Sequence, residues 1–314
     1  MSANLRFGTA QLFRALQCAI GAEDAAQELR WMKDALRKHP SSPMRPRSLD
    51  SMLERRVKGE PLQYIIGTQP FGPLELLVRP PVLIPRPETE DWTIRILQQL
   101  SPSRDRPVSV LDLCTGTGCI PLLLCRLWPP GSVHATGVDI SEDAIRLARD
   151  NAELCGVMLH EPGQNDAVPV DIAGDREHNW FRPILADIRD PDFVRKNELQ
   201  RPFDVITSNP PYISKRDYEK LPSSVKDYED WRALLGDDPG VDGQGLTFYH
   251  DIIGLLSNGE LEMLKKDGIV VLEVGEGQAG DVAESLERRA QLRDIKIWKD
   301  PWGKERVVIG RYHN

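Results

Sequence analysis

Apolar positions change their spacing along the chain, and the changes mark its parts. Ala25, Ala26, Leu29, Met32 and Leu36 recur at helical intervals; a Pro/Ser-rich break runs from Pro40 to Ser48, and helical spacing returns from Leu49 to Val57. This predicts a small helical unit. Gly59 to Pro87 is dense in Gly and Pro but alternates apolar residues around Tyr64 to Ile66 and Leu74 to Val78, the pattern of a hairpin-like connector. From Pro107 the order becomes strand, turn, helix, repeated. Val108 to Leu113 reads as a buried strand, Ile120 to Leu127 as a helix and Val133 to Asp139 as a second strand. Ser141 is placed to cap a helix whose first turn carries Glu142 and Asp143, whose buried face is Ala144, Ile145, Ala148 and Ala152, and whose stop is Gly156. Strands follow at Arg182 to Ala186 and Phe203 to Ser208, then a helix Leu246 to Leu264, a strand Ile269 to Val274 and a helix Ala279 to Ala290. Two alternating runs, Leu292 to Trp298 and Glu305 to Arg311, end the chain as an antiparallel hairpin. The expectation is an α/β protein with a mostly parallel sheet.

Composition narrows the function classes. The 314 residues are 40% apolar and 28% charged, an ordinary globular mixture, and no apolar run nears the roughly 18 residues of a membrane span. Net charge is −8, against the basic footprint expected of a nucleic-acid binder, although Arg30 to Lys58 alone carries nine Lys/Arg against three acids. Such a run reads first as a solvated helical face. Five scattered cysteines do not form a secreted disulfide framework. Cys114, Cys119 and Cys125, with no histidine between them, do not have zinc-site spacing and read as small apolar residues; no metal site is expected. Met1 to Ala22 contains Arg6 and Arg14 but no acid, which suits either an amphipathic transit segment or the first helix of a bundle.

Three constellations could carry chemistry. Cys114, Thr115, Gly116, Thr117 and Gly118 follow a buried strand and open a helix, where glycine lets a ligand approach the backbone and free N–H groups face it. The spacing speaks against a dinucleotide fingerprint, whose third glycine would fall on Pro121. Asp139 ends the next strand, where a carboxylate can accept hydrogen bonds from ribose hydroxyls. Asn209, Pro210, Pro211 and Tyr212 follow another strand. Alone they would be a loop, but at the carboxyl edge of a parallel sheet the Asn209 oxygen and Pro210 carbonyl can accept both N–H groups of a planar amide or amine. Pro211 would stiffen the turn and Tyr212 offer a stacking face.

Together these motifs look like a class I S-adenosylmethionine-dependent methyltransferase acting on a planar nitrogen. More narrowly, the chain resembles the HemK/PrmC family, the N5-glutamine methyltransferases of translation release factors. The likeness extends through Gly59 to Gly67, Leu83 to Glu90, Asp242 to Tyr249, Leu272 to Gln278, Lys299, Asp300 and Arg306 to Gly310. It implies a Rossmann-like methyltransferase domain (residues 85–314) ending in the antiparallel hairpin, a hairpin linker (59–84) and an N-terminal helical domain (1–58) that docks the release factor. It also implies S-adenosylmethionine as cofactor, Asp187 and Ile188 as its adenine contacts, Asn209 as a contact shared by cofactor and substrate, and the glutamine of a Gly-Gly-Gln motif as substrate. No stable nucleic-acid or membrane partner is expected. Departures are Cys114 in place of a common glycine, Asp230 in place of a proline, and a long polar segment from Val157 to Arg182. Glu28 to Trp31 and the Asp112 to Ile120 loop are most similar to fungal members that act on mitochondrial release factors, which implies a mitochondrial rather than cytoplasmic location. The competing functions are an adenine-N6 or other nucleic-acid methyltransferase, which would use the same tetrapeptide on a flipped base, and a non-catalytic cofactor-binding protein.

Overall fold

The computed structural model describes residues 8–38, 48–160, 178–238, 240–241 and 243–313. The Pro/Ser-rich stretch 40–47, residues 161–177 of the long polar segment, and Asp242 lie outside them. Four helices come first: α1 (Thr9–Ile20), α2 (Ala22–Lys38), α3 (Leu49–Val57) and α4 (Leu62–Ile66). Ser48 accepts the Ser51 N–H and so caps α3. Leu12 and Leu16 of α1 are buried with Met32, Met52, Leu53 and Ile65, so this part of the first 22 residues is a bundle helix with its own core. Two arginines of the basic run are paired within the fold: Arg56 with Glu28 at 2.7 Å, and Arg55 with Glu60.

The hairpin β1 (Thr68–Phe71) and β2 (Leu74–Leu77) follows, with Thr68 opposite Leu77. Tyr64 to Ile66, expected among the extended alternating residues, instead belongs to α4, which starts just after Pro61 and is stopped by Gly67. Phe71, Leu74 and Leu76 pack with Trp92, Leu122 and Leu123, so the hairpin is seated on the larger body. Its backbone is held there: the Asn151 side chain accepts the Leu77 N–H at 2.7 Å and donates to its carbonyl at 3.1 Å.

The larger body contains α5 (Pro87–Ile96), β3 (Val108–Leu113), α6 (Cys119–Leu127), β4 (Val133–Asp139), α7 (Glu142–Cys155), β5 (Met158–Leu159), β6 (Trp180–Leu185), α8 (Phe193–Lys196) and β7 (Phe203–Ser208). Then come α9 (Lys215–Tyr218), α10 (Ser223–Lys226), α11 (Thr247–Ser257), β8 (Leu264–Glu273), α12 (Ala279–Arg288), β9 (Arg293–Lys299) and β10 (Glu305–Arg311). The helix expected to reach Leu264 ends at Ser257, because Asn258 and Gly259 break it and Leu264 already pairs with Phe203 in the sheet. Helix α5, which apolar spacing did not announce, begins at Pro87 with Glu88 and Glu90 in its first turn. The Ser141 hydroxyl accepts the Ala144 N–H at the start of α7, and Gly156 closes its end.

Among the described residues, eight strands form one sheet in the order β5-β6-β4-β3-β7-β8-β10-β9. The first six positions are parallel, and β10 runs antiparallel between β8 and β9. Apolar layers cover both faces. One includes Val110, Leu122, Leu123, Phe181 and Trp92; the other includes Leu111, Leu113, Phe193, Ile252 and Leu286. Chain order reverses at β3, which has β4 on one side and β7 on the other, so a crevice opens beyond their carboxyl ends. The loops after β3, β4, β6 and β7 meet there.

Candidate active site

A cavity of about 330 Å³ occupies the crevice, lined by Cys114 and Gly116 after β3, Val138 to Ser141 after β4, Ala186 to Arg189 after β6, and Asn209 and Pro211 after β7. The loop after β3 turns through left-handed backbone at Cys114 (φ 60°) and Gly116 (φ 55°). A Cβ on Gly116 would meet nothing within 4 Å, so the space above its backbone is open to a ligand. Cys114 holds the same backbone region with a side chain, which explains why glycine suits that position. Thr115, Thr117 and Gly118, expected to bind cofactor, do not line the cavity. The two threonines are buried, and a Cβ on Gly118 would come within 3.2 Å of Phe181 and 3.3 Å of Ala148: these residues pack the loop onto the body behind it.

Asp139 is fixed from two sides. Its Oδ2 accepts the Gly116 N–H and its Oδ1 the Ser141 N–H, each at 2.9 Å. A carboxylate has about four acceptor positions, so two remain for a ligand. Burial pushes its pKa up, against the pull of these two N–H groups. Asp112, at the end of β3, is fully buried; Thr207 donates to one oxygen at 2.7 Å, the other has no partner, and burial raises its pKa to about 7.

Ile140, 53% exposed, and Trp231, 48% exposed, are large apolar side chains left open on the cavity wall. Trp231 lies in a single 3-10 turn, Trp231–Ala233, whose preceding Asp230 accepts the Arg232 N–H at 2.9 Å and pairs with its guanidinium at 2.6 Å. Asp230, where the resemblance expects proline, therefore caps this turn. Asp187 accepts the Arg189 N–H at 2.9 Å; the Arg189 guanidinium bridges Asp238 and Asp251 at 2.8 and 2.6 Å and lies 4.5 Å above Phe248. Arg189 thus ties the loop after β6 to α11. The lining holds five aspartates against two arginines, a field that favours a cationic ligand.

A second cavity of about 140 Å³ adjoins the first, sharing Leu83, Asn209 and Ala233 with it. Pro210, Tyr212, Arg86, Leu221 and Val225 are among its other walls. The tetrapeptide therefore sits between two spaces: Asn209 faces both, Pro211 the larger, Pro210 and Tyr212 the smaller. Its position is set by distant parts of the chain. Gln278 donates to the Tyr212 carbonyl at 2.8 Å, and Arg86 pairs with buried Glu229 at 2.5 Å across the smaller cavity's rim. Tyr212 donates its hydroxyl to Glu273 at 3.3 Å; burial beside that carboxylate pushes its pKa up, which keeps it a neutral donor. The Asn209 amide donates to Thr89, which donates to Glu273. Spacing did not single out Thr89, Glu273, Arg86, Arg189 or Trp231. Thr89 and Glu273 do fall within the Leu83 to Glu90 and Leu272 to Gln278 runs that resemble the family.

The larger cavity, with its acidic and apolar lining, suits a largely apolar, cationic ligand, and Asn209 and Pro210 bring polar groups to the smaller cavity beside it. A methyltransferase-domain family profile matches residues 88–227. The release factor glutamine methyltransferase of Thermodesulfovibrio yellowstonii is 34% identical over 262 residues, covering 83% of this chain and 80% of that protein. The release factor glutamine methyltransferase of Geobacter sulfurreducens is 34% identical across 93% of this chain and 91% of its own length. The Aliivibrio fischeri protein of the same name is 32% identical across 84% and 78%.

Proposed function

The chain belongs to the release factor glutamine methyltransferases, and from that membership we propose that it transfers a methyl group from S-adenosylmethionine to the side-chain amide nitrogen of the glutamine in a release factor's Gly-Gly-Gln motif. The observation that carries this reading is the pair of cavities meeting at Asn209.

The residues present fit the cofactor. Gly116 leaves its backbone uncovered, Asp139 keeps two acceptor positions for ribose hydroxyls, and Ile140, Ile188 and Phe248 give a planar base apolar neighbours. Cys114 and Asp187 complete this set. The cofactor supplies a methyl group already activated on a sulfonium, so what is asked of the protein is alignment rather than a strong base. An amide nitrogen is a poor nucleophile because its lone pair is delocalised. The Asn209 Oδ1 and the Pro210 carbonyl accept its two N–H groups and turn its remaining face toward the larger cavity. Pro211 stiffens that turn, and the Tyr212 ring walls the amide's pocket.

The N-terminal helices have their own core and contribute no lining residue to either cavity, so we assign them to docking the release factor. Removing α1 to α3 is expected to raise KM for the protein substrate while cofactor affinity persists; unchanged KM would sink this assignment. Mitochondrial residence is part of the same proposal and rests on the likeness of Glu28 to Trp31 and the Asp112 to Ile120 loop to fungal members of the family. Because Leu12 and Leu16 are core residues, a targeting segment in Met1 to Ala22 would be retained rather than cleaved after Ala22. Amino-terminal sequencing of the organellar protein tests this.

The proposed activity is tested by incubating the protein and labelled S-adenosylmethionine with release factors and, in parallel, with adenine-containing oligonucleotides. Label on the protein substrate alone supports the reading. Label on the oligonucleotide would replace it with base methylation, which the acidic cavity rim disfavours because a phosphate backbone would meet like charge.

A further inference from the structure

Glu273 lies at the end of β8, is 1% exposed and lines neither cavity. It accepts from three directions: the Thr89 hydroxyl at 2.6 Å, the Trp92 indole N–H at 2.8 Å and the Tyr212 hydroxyl at 3.3 Å. Thr89 and Trp92 stand three residues apart on one face of α5, so the carboxylate joins that helix to the tetrapeptide across the end of the sheet. The next link is the Asn209 Nδ2, which donates to the Thr89 oxygen at 3.2 Å.

Hydrogen-bond polarity decides what this chain of contacts does. A hydroxyl has one proton, and that of Thr89 goes to Glu273. An ionised carboxylate can only accept, so toward Asn209 the Thr89 oxygen can only accept too. Asn209 must therefore turn its NH₂ to Thr89 and its oxygen the other way. The Trp92 indole N–H can only donate, so the Oε2 that it shares with the Thr89 hydroxyl acts as an acceptor; burial raises the Glu273 pKa, and the hydroxyl and indole donors offset only part of that rise.

We propose that Glu273, acting through Thr89, is a positioning residue that fixes which way round the Asn209 amide stands, so that its oxygen faces the substrate nitrogen. This rests on the reading of Asn209 as the amide acceptor and deepens it. With no acceptor at position 273, Thr89 is released to give its proton to the Asn209 oxygen. The amide then turns over and presents N–H groups to the N–H groups of the substrate, a donor facing a donor.

The test is steady-state kinetics on a release factor with Glu273→Leu, Thr89→Val and Thr89→Ser. Glu273→Leu and Thr89→Val are each expected to lower kcat by about 10²-fold, the usual scale for one misplaced hydrogen bond in a dry site, with KM for both substrates nearly unchanged. Thr89→Ser, which keeps the hydroxyl, is expected to recover most of what Thr89→Val loses. The double variant should fall no further than either single one, since both break the same chain. If Glu273→Leu fails to fold, Thr89→Val against Thr89→Ser carries the comparison alone. A folded Thr89→Val enzyme with wild-type kcat, or equal losses in the Val and Ser variants, overturns the proposal. Wild-type enzyme inactive on glutamine would instead overturn the functional reading beneath it.

Discussion

Replacing Asp139 by asparagine keeps the shape of the side chain and removes one oxygen and the charge. The structure defines what that costs. Both oxygens are engaged, one by the Gly116 N–H and one by the Ser141 N–H, each at 2.9 Å. Asparagine has a single oxygen, so one backbone N–H loses its acceptor and the new NH₂ faces a donor. On the cavity side one of the two acceptor positions left for the ribose disappears as well. A hydrogen bond to a charged group is worth about 1.5–3 kcal/mol, so cofactor affinity should fall roughly 10- to 150-fold. Titration calorimetry with S-adenosylmethionine reads this directly, with circular dichroism to establish that the variant is folded. Acidification gives a second signature. Burial raises the Asp139 pKa, so in the wild type the acceptor is lost to protonation at a higher pH than for an ordinary aspartate, and affinity should fall there. The asparagine variant has no such step. A folded Asp139→Asn protein with wild-type affinity and wild-type pH dependence would refute the placement of the ribose at this carboxylate.

Two further perturbations probe the scaffold. Burial pushes the Asp112 pKa up to about 7, well above the ordinary aspartate range, so its contribution to stability is full below about pH 4 and is lost as pH rises through 7. Asp112→Asn should therefore match the wild type in denaturant melts at pH 4 and exceed it at pH 8 by on the order of 1–3 kcal/mol; parallel pH profiles would contradict the buried, half-partnered carboxyl. Gly245 has φ 74°, and a Cβ there would lie 2.1 Å from the Tyr212 carbonyl oxygen. Gly245→Ala should displace the tetrapeptide and lower kcat at least about tenfold while cofactor affinity, set on the far side of the larger cavity, persists; normal turnover would show that the tetrapeptide tolerates movement.

The sequence was most legible where one local rule decides the outcome. Val108 to Leu113, Val133 to Asp139 and Phe203 to Ser208 are uninterrupted buried strands, and their loops at the sheet's carboxyl edge carry the candidate chemistry. The Ser141 cap and Gly156 stop of α7 are equally local. Short segments were harder. Tyr64 to Ile66 spans less than one helical turn, too little for apolar spacing to separate helix from strand. Leu261, Met263 and Leu264 continue an apolar rhythm past Asn258 and Gly259, so the end of α11 lay in the breakers rather than in the rhythm. The glycine-rich loop was read as binding throughout, whereas Thr115, Thr117 and Gly118 pack inward and only Cys114 and Gly116 reach the cavity. Glu273 and Thr89 are 184 residues apart in sequence and touch only because β8 and the amino end of α5 converge. No pattern of residue types encodes that meeting.

The central claim is that Asn209 holds a glutamine amide at the junction of two cavities. It is tested most directly by tandem mass spectrometry of a release factor after timed incubation with S-adenosylmethionine and either wild-type or Asn209→Ala enzyme. The account predicts a single methyl group on the side-chain nitrogen of the Gly-Gly-Gln glutamine, formed about 10²–10³-fold more slowly by the folded variant at saturating cofactor. A methyl group at any other residue, or equal rates with the two enzymes, would contradict it.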